Sequence, residues 1–106
     1  MVDADDILAG LGVEEKISLL VGAGLSRIVL GAAGDTRSIA RLGIPGIVLC
    51  DGPAGVRIHP LRLGDARKYY VISFPNEILL ASSWNLDLVR SVGRAIGEEA
   101  RFFGCL

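Results

Sequence analysis

The apolar positions before Gly22 recur at helical spacing and predict two helices. The first covers 3–11, and the second begins at Val13, with Gly12 as its cap. Both carry acidic residues in the first turn, where a negative charge interacts favourably with the helix dipole. Gly22 is expected to end the second helix by adopting a positive φ. The amino-terminal part of the chain is therefore predicted to be helical.

Two more helices are predicted near the other end of the chain. The first is short, over 77–82, and the second follows the cap Asn85 and ends at Gly104. The apolar residues of the last helix fall on one face: Val89, Val92, Ile96, Ala100 and Phe103. After Gly104, Cys105 and Leu106 resemble the start of another buried strand, and the chain is therefore expected to be truncated.

The residues between these helical regions are mostly loop. The segment 22–40 is rich in glycine but lacks both the Gly-Lys-Ser/Thr of a phosphate loop and the third glycine of a dinucleotide fold. The segment 58–73 has mixed charges and no periodicity. Both segments are predicted to be surface loops, and loops at the carboxyl ends of barrel strands often carry function.

In one stretch, 41–57, a predicted buried strand is followed at once by charged residues. Its apolar run 47–50 is unbroken between turn residues, which predicts a strand buried on both faces, as in a parallel sheet. The run ends on Asp51, at the strand end where α/β folds bind ligands. Glycines and a proline then turn the chain, and Arg57 returns a positive charge close to the acid.

This turn and four further segments resemble glycoside hydrolase family 3, the β-glucosidase type, in its amino-terminal part. In that family a strand ends in an Asp-Gly-Pro turn that holds the sugar. The matching segments are Val13–Ile17 (VEEKI), Arg41–Pro45 (RLGIP), Asp51–Pro53 (DGP), Phe74–Asn85 (FP followed by LASSWN) and Gly93–Gly104 (GRAIGEEARFFG). Their order and spacing over nearly the whole chain make the resemblance specific.

The resemblance implies an α/β fold, the amino-terminal part of a (β/α)8 TIM-like barrel. Such a barrel needs about 250 residues. Residues 1–106 are therefore expected to form an incomplete barrel domain. The resembled enzymes hydrolyse β-glucosides with retention, through a covalent glycosyl-enzyme intermediate.

By the same resemblance, Asp51 and Arg57 are the predicted substrate-binding residues. Asp51 matches the family's sugar-binding Asp, and Arg57 could orient its carboxylate or donate to a hydroxyl. No catalytic residue is predicted. The family's nucleophile lies in a Ser-Asp-Trp type motif, which this sequence lacks, and its acid/base Glu lies further on. The chain alone is expected to be inactive.

Other interpretations stay open at this point. Asp51 before Gly-Pro is also a common turn residue that bonds its own backbone, and Arg57 fits a surface salt bridge equally well. The chain could be a small non-catalytic carbohydrate-binding module, a plain α/β scaffold, or one half of a split glycosidase whose partner chain supplies the rest of the barrel.

The remaining candidates for chemistry favour structural roles. His59 is the only histidine and has no evident Ser or Cys partner, so an exposed loop position is expected. Trp84 could stack on a sugar, but its place before a helix cap favours the core. Tyr69 and Tyr70 could line the mouth of a site. Cys50 is interpreted as a core residue, and Cys50 and Cys105 match no metal or redox spacing.

Composition narrows the class of protein. Hydrophobic residues make up 51% of the chain, which favours a globular domain, and the formal net charge of −1 offers no basic surface for nucleic acid. Acidic residues stand where a signal peptide would need positive charge, and no long apolar run follows. We therefore expect a cytoplasmic chain without a membrane span, cofactor or metal.

Overall fold

The computed structural model describes residues 3–105 and contains mostly helices and loops. Its elements, in chain order, are α1 (Ala4–Gly10), α2 (Val13–Val21), β1 (Gly34–Asp35), a 3-10 turn (Ala40–Leu42), β2 (Val48–Leu49), α3 (Glu77–Ser82) and α4 (Leu86–Phe102). All four predicted helices are present, within a residue or two of their predicted bounds. Of the strand start predicted at Cys105 and Leu106, Cys105 is buried but belongs to no strand, and Leu106 lies outside the described residues.

Polar side chains cap three of the helices. The Asp3 carboxylate accepts from the Asp5 N–H at the start of α1, at 3.2 Å. The Asn76 amide oxygen accepts from the Leu79 N–H at the start of α3. The Asn85 amide oxygen accepts from two N–H groups at the start of α4, which confirms this residue as its cap. These bonds satisfy donors that the first turn leaves unpaired.

Helix α2 is tied to the segment that leads into the strand. Glu15 accepts from the Gly12 N–H at 2.9 Å and forms an ion pair with Arg41. Arg41 also donates to the Gly10 carbonyl at 2.8 Å, so its guanidinium joins both amino-terminal helices to the RLGIP segment. The Arg41 hydrogen bond, and after it the Gly12 N–H, lowers the pKa of Glu15 to about 2.

A left-handed glycine ends α4, as the sequence predicts. Gly104 has φ +80°, its N–H donates to the Arg101 carbonyl, and the Cys105 N–H donates to the Ala100 carbonyl at 2.8 Å. This pair of bonds is the Schellman motif. It turns the chain back so that Cys105 enters the core.

The predicted strand forms at the predicted position, but its pairing and its burial differ from the prediction. Strand β2 forms within the predicted run 47–50, but it pairs antiparallel with β1, a strand that the sequence did not indicate. Val48 is buried while Leu49, on the other face, is 45% exposed, so β2 is not buried on both faces. Two residues of β1, one a glycine, are too short a run to show any period.

The buried core is small and lies around β2. It consists of Val29, Ala32, Val48 and Cys105, and Cys50, Ile58 and Ala100 pack against it. None of the four helices contains a fully buried residue. No helix among residues 3–105 is both long enough and apolar enough to cross a membrane.

Candidate functional site

Asp51 lies two residues after the end of β2, at the start of a turn closed by backbone hydrogen bonds. The Arg57 N–H donates to the Asp51 carbonyl at 2.7 Å, and the Phe74 N–H donates to the Ala54 carbonyl at 2.8 Å. Two glycines make this turn possible. A Cβ on Gly52 (φ +145°) would lie 1.9 Å from the Gly55 carbonyl oxygen. The DGPAGVR turn, 51–57, therefore has a backbone that only glycine permits at position 52.

The side chains at the two ends of this turn form a forked ion pair. Arg57 Nε donates to Asp51 Oδ1 at 3.0 Å, and Nη2 donates to Oδ2 at 2.8 Å. Both side chains are exposed, Arg57 by 69% and Asp51 by 48%. An exposed pair contributes only about 0–1 kcal/mol to stability. The consequence of the pair is orientation, because a bidentate fork fixes the plane of the carboxylate.

The alternative interpretation of Asp51 as a backbone-bonding turn residue does not match this geometry. Within residues 3–105, both carboxylate oxygens of Asp51 accept from Arg57, and neither accepts a backbone N–H. A carboxylate offers about four acceptor positions, so two remain for another donor. The two residues that the sequence singled out are thus brought together, while their role towards a substrate stays a prediction.

A shallow depression of about 260 Å³ adjoins this ion pair. It is lined by residues 52–58 and by Val71, Ile72 and Ser73, at the end of the long loop. The Glu99 carboxylate of α4 accepts from the Ile72 N–H at 2.8 Å, which holds this loop end against the helix. The surface beside Asp51 is therefore built from the turn and the loop 58–73.

A polar cluster that sequence reasoning missed fixes the shape of that loop. Asp65 accepts from the Tyr69 hydroxyl at 2.6 Å and from the Arg67 guanidinium at 2.7 Å, and these bonds hold the pKa of Asp65 well below its usual range. The Arg62 guanidinium lies 4.7 Å from the centre of the Tyr69 ring and donates to the Phe103 carbonyl. The spacing D-x-R-x-Y of residues 65–69 was the sequence signal from which this cluster could have been predicted.

The other sequence candidates lie elsewhere or have structural partners. His59 is exposed, and its Nδ1 accepts from the Leu61 N–H at 3.1 Å. Tyr69 belongs to the polar cluster, and Tyr70 is exposed. No group of three or more His, Cys, Asp or Glu side chains that could hold a metal occurs in the described part of the chain.

Trp84 is not a core residue, contrary to the prediction. It is 94% exposed and lies at the corner between α3 and α4 with φ +52°. The indole borders a cavity of about 580 Å³ between these two helices, which is mainly apolar and is lined by Glu77, Leu80, Ala81, Trp84, Asn85, Leu86 and Val89. No residue of the DGPAGVR turn lines this cavity.

The chain is similar to β-glucosidases in both sequence and structure. It is 37% identical to "Beta-glucosidase A" of Butyrivibrio fibrisolvens over 94% of its own length, and 34% identical to "Thermostable beta-glucosidase B" of Acetivibrio thermocellus over 94%. Its structure matches that of β-glucosidase 3B from Thermotoga neapolitana in complex with α-D-glucose. That match has a TM-score of 0.85 and 48% identity and covers 95% of this chain. No protein-family model matches the chain.

These matches are to segments of much longer proteins. The chain spans 11% and 13% of the two β-glucosidases and 15% of the Thermotoga chain. Within that span the agreement is nearly continuous, and the sequence and fold comparisons point to the same class of enzyme. The resemblance to glycoside hydrolase family 3 is therefore confirmed: over nearly its whole length, this chain is related to a segment of the β-glucosidases.

Proposed function

We propose that the chain is the sugar-holding part of a β-glucosidase-type glycoside hydrolase, built on the amino-terminal segment of a (β/α)8-like barrel. Asp51 accepts hydrogen bonds from the hydroxyls of the terminal sugar, and Arg57 holds the carboxylate in position. The observation that carries this proposal is the forked ion pair on the glycine turn after β2. The similarity to β-glucosidases supports the same assignment.

The chemistry of the pair suits a polyhydroxylated ligand. Adjacent ring hydroxyls are donors spaced to meet the two oxygens of one carboxylate, and hydrogen bonds to a charged acceptor are stronger than neutral ones. Because Arg57 already fixes the plane of the Asp51 carboxylate, little side-chain freedom is lost when a sugar binds. The pair's exposure leaves it accessible to a β-glucoside or an oligosaccharide end.

Hydrolysis itself requires groups that this site does not hold. A glycosidase needs two carboxyl groups flanking the scissile bond. Here the charged partner of Asp51 is Arg57, and no second carboxylate contacts either side chain within residues 3–105. We therefore propose that the nucleophile and the acid/base lie outside these 106 residues, on a longer protein or a partner chain, and that this chain alone does not hydrolyse glycosides.

The proposal is tested by titrating the 106-residue chain with glucose and following backbone amide shifts by NMR. We expect saturable shifts at Gly52–Arg57 with a millimolar dissociation constant. Asp51→Asn should weaken binding at least about tenfold, since a charged hydrogen bond contributes about 1.5–3 kcal/mol. Asp87→Asn is the matched control, because Asp87 also forms an exposed ion pair with an arginine, Arg90.

Two results would overturn the proposal. One is glucose binding that survives Asp51→Asn with shifts away from the DGPAGVR turn. The other is hydrolysis of p-nitrophenyl β-D-glucoside by the 106-residue chain, which would place both catalytic carboxyl groups within it. If binding depends on Asp51 but no added chain ever restores hydrolysis, the binding-module interpretation replaces the enzyme one.

A further inference from the structure

The two cysteines meet in the core although about half of the chain separates them in sequence. Val48 of β2 belongs to the buried cluster that contains Cys105, and Cys50, the residue after β2, packs against this cluster. Cys105 arrives from the end of α4, turned inwards after Gly104 by the Schellman motif. Cys105 is fully buried, whereas Cys50 is half-buried.

The two thiols are neighbours in the fold. Cys105 belongs to the buried cluster against which Cys50 packs, and both cysteines are free. Burial, and after it the neighbouring Cys50, raises the pKa of Cys105 to about 11. Cys105 is therefore a protonated thiol at neutral pH, and the more accessible Cys50 is the one that an oxidant in solution reaches first.

We propose that Cys50 and Cys105 form a reversible disulfide site that joins the residue before Asp51 to the third residue after α4. The oxidant is a small disulfide such as glutathione disulfide. The Cys50 thiolate attacks one sulfur and releases one glutathione, leaving a mixed disulfide. The Cys105 sulfur then attacks the Cys50 sulfur and releases the second glutathione. Two protein thiols and one glutathione disulfide become one protein disulfide and two glutathione thiols.

The bond would act on both the folded and the unfolded chain. In the folded state it would connect the residue after β2 to the segment after α4, both of which supply side chains to the small core or its edge. In the unfolded state it would close a loop of about half the chain, which lowers the entropy of that state. The oxidised chain is therefore expected to be more stable than the reduced one. The proposal is independent of any role of Asp51 in sugar binding.

The test compares the same equilibrium in the folded and the unfolded chain. The 106-residue protein is equilibrated in glutathione redox buffers, with and without concentrated guanidinium chloride, and the disulfide fraction is read by acid quenching and mass spectrometry. By thermodynamic linkage, the ratio of the two equilibrium constants reports how much the bond favours the folded state. From the size of the loop we expect a ratio of about 100 or more. The oxidised chain should also melt about 10 °C higher, and dithiothreitol should reverse the shift.

A ratio of one or less would overturn the proposal, since it would mean that the folded core does not accept the bond. A disulfide found mainly between two chains would overturn it as well. Cys50→Ser is the control, and its melting temperature should not change in the same buffers. The folded-to-unfolded ratio uses the unaltered chain, so a folding defect in Cys50→Ser leaves the test intact.

Discussion

Gly52 and Trp84, two of the residues with a positive φ angle, lie at corners of the chain that differ in what surrounds them. At Gly52 (φ +145°) the backbone of Gly55 fills the space that a Cβ would need. At Trp84 (φ +52°) the largest side chain in the protein stands in the open, 94% exposed. The first corner holds the candidate site in a crowded turn, and the second joins two helices at the surface. Crowding, and not the φ angle alone, decides which residue a corner requires.

The same difference extends to the apolar residues near each corner. Val48 and Val56, on either side of the first corner, are buried. Leu86 and Ile78, near the second, are both more than 70% exposed. The caps that start α3 and α4 form locally, through Asn76 and Asn85, and need no burial. A helix thus forms from local signals, whereas its apolar face is buried only where another element supplies a surface.

The largest effect is expected from Gly52→Ala. The new Cβ would lie 1.9 Å from a backbone oxygen, so the turn that joins Asp51 to Arg57 must open. We expect a loss of about 3 kcal/mol or more in the free energy of unfolding, measured with urea.

Gly64→Ala is the matched control for this change. Gly64 also has a positive φ (+77°), but no atom lies within 4 Å of its Cβ position. Its loss should be about 1–2 kcal/mol, the cost of the backbone conformation alone. Equal losses at the two positions would show that crowding in the turn is unimportant.

A smaller effect, of opposite sign, is expected at the exposed corner. Trp84→Gly should stabilise the chain relative to Trp84→Ala by about 1 kcal/mol, because glycine adopts a positive φ without steric cost. Neither variant loses much buried area, since the indole is almost fully exposed. Urea unfolding of the two variants measures this difference directly. An alanine variant as stable as the glycine variant would mean that the corner relaxes to a negative φ.

Sequence reasoning succeeded where a signal is local. The cap Asn85, the glycine that ends α4 and the position of β2 all follow from neighbouring residues. It also placed Asp51 and Arg57 in one short turn, whose geometry the glycines determine.

Sequence reasoning failed for features that depend on contacts between residues far apart in sequence. β1 exists because Gly34 and Asp35 lie beside β2, and a two-residue strand has no pattern of its own. Cys50 packs against the cluster that holds Cys105 because the chain after α4 returns to the core beside β2, which no spacing encodes. Trp84 was assigned to the core from its place before a helix cap, but it is 94% exposed. Each failure concerns the surroundings of a residue, and at β1 these surroundings also decide the type of element.

The smallest effect concerns Glu15, far from both corners. Its ordinary pKa of 4.5 is lowered to about 2 in the folded chain, chiefly by the Arg41 hydrogen bond and then by the Gly12 N–H. A lowered folded-state pKa means that the unfolded chain binds the proton first as the pH falls. The stabilisation from this contact is therefore present above about pH 4.5 and is lost between there and about pH 2.

Urea midpoints measured across this range should fall less steeply in Glu15→Gln than in the unaltered chain. Arg41→Gln should flatten the profile in the same way, because it removes the main cause of the shift, and an unchanged slope in both variants would show that other carboxyl groups control the acid stability.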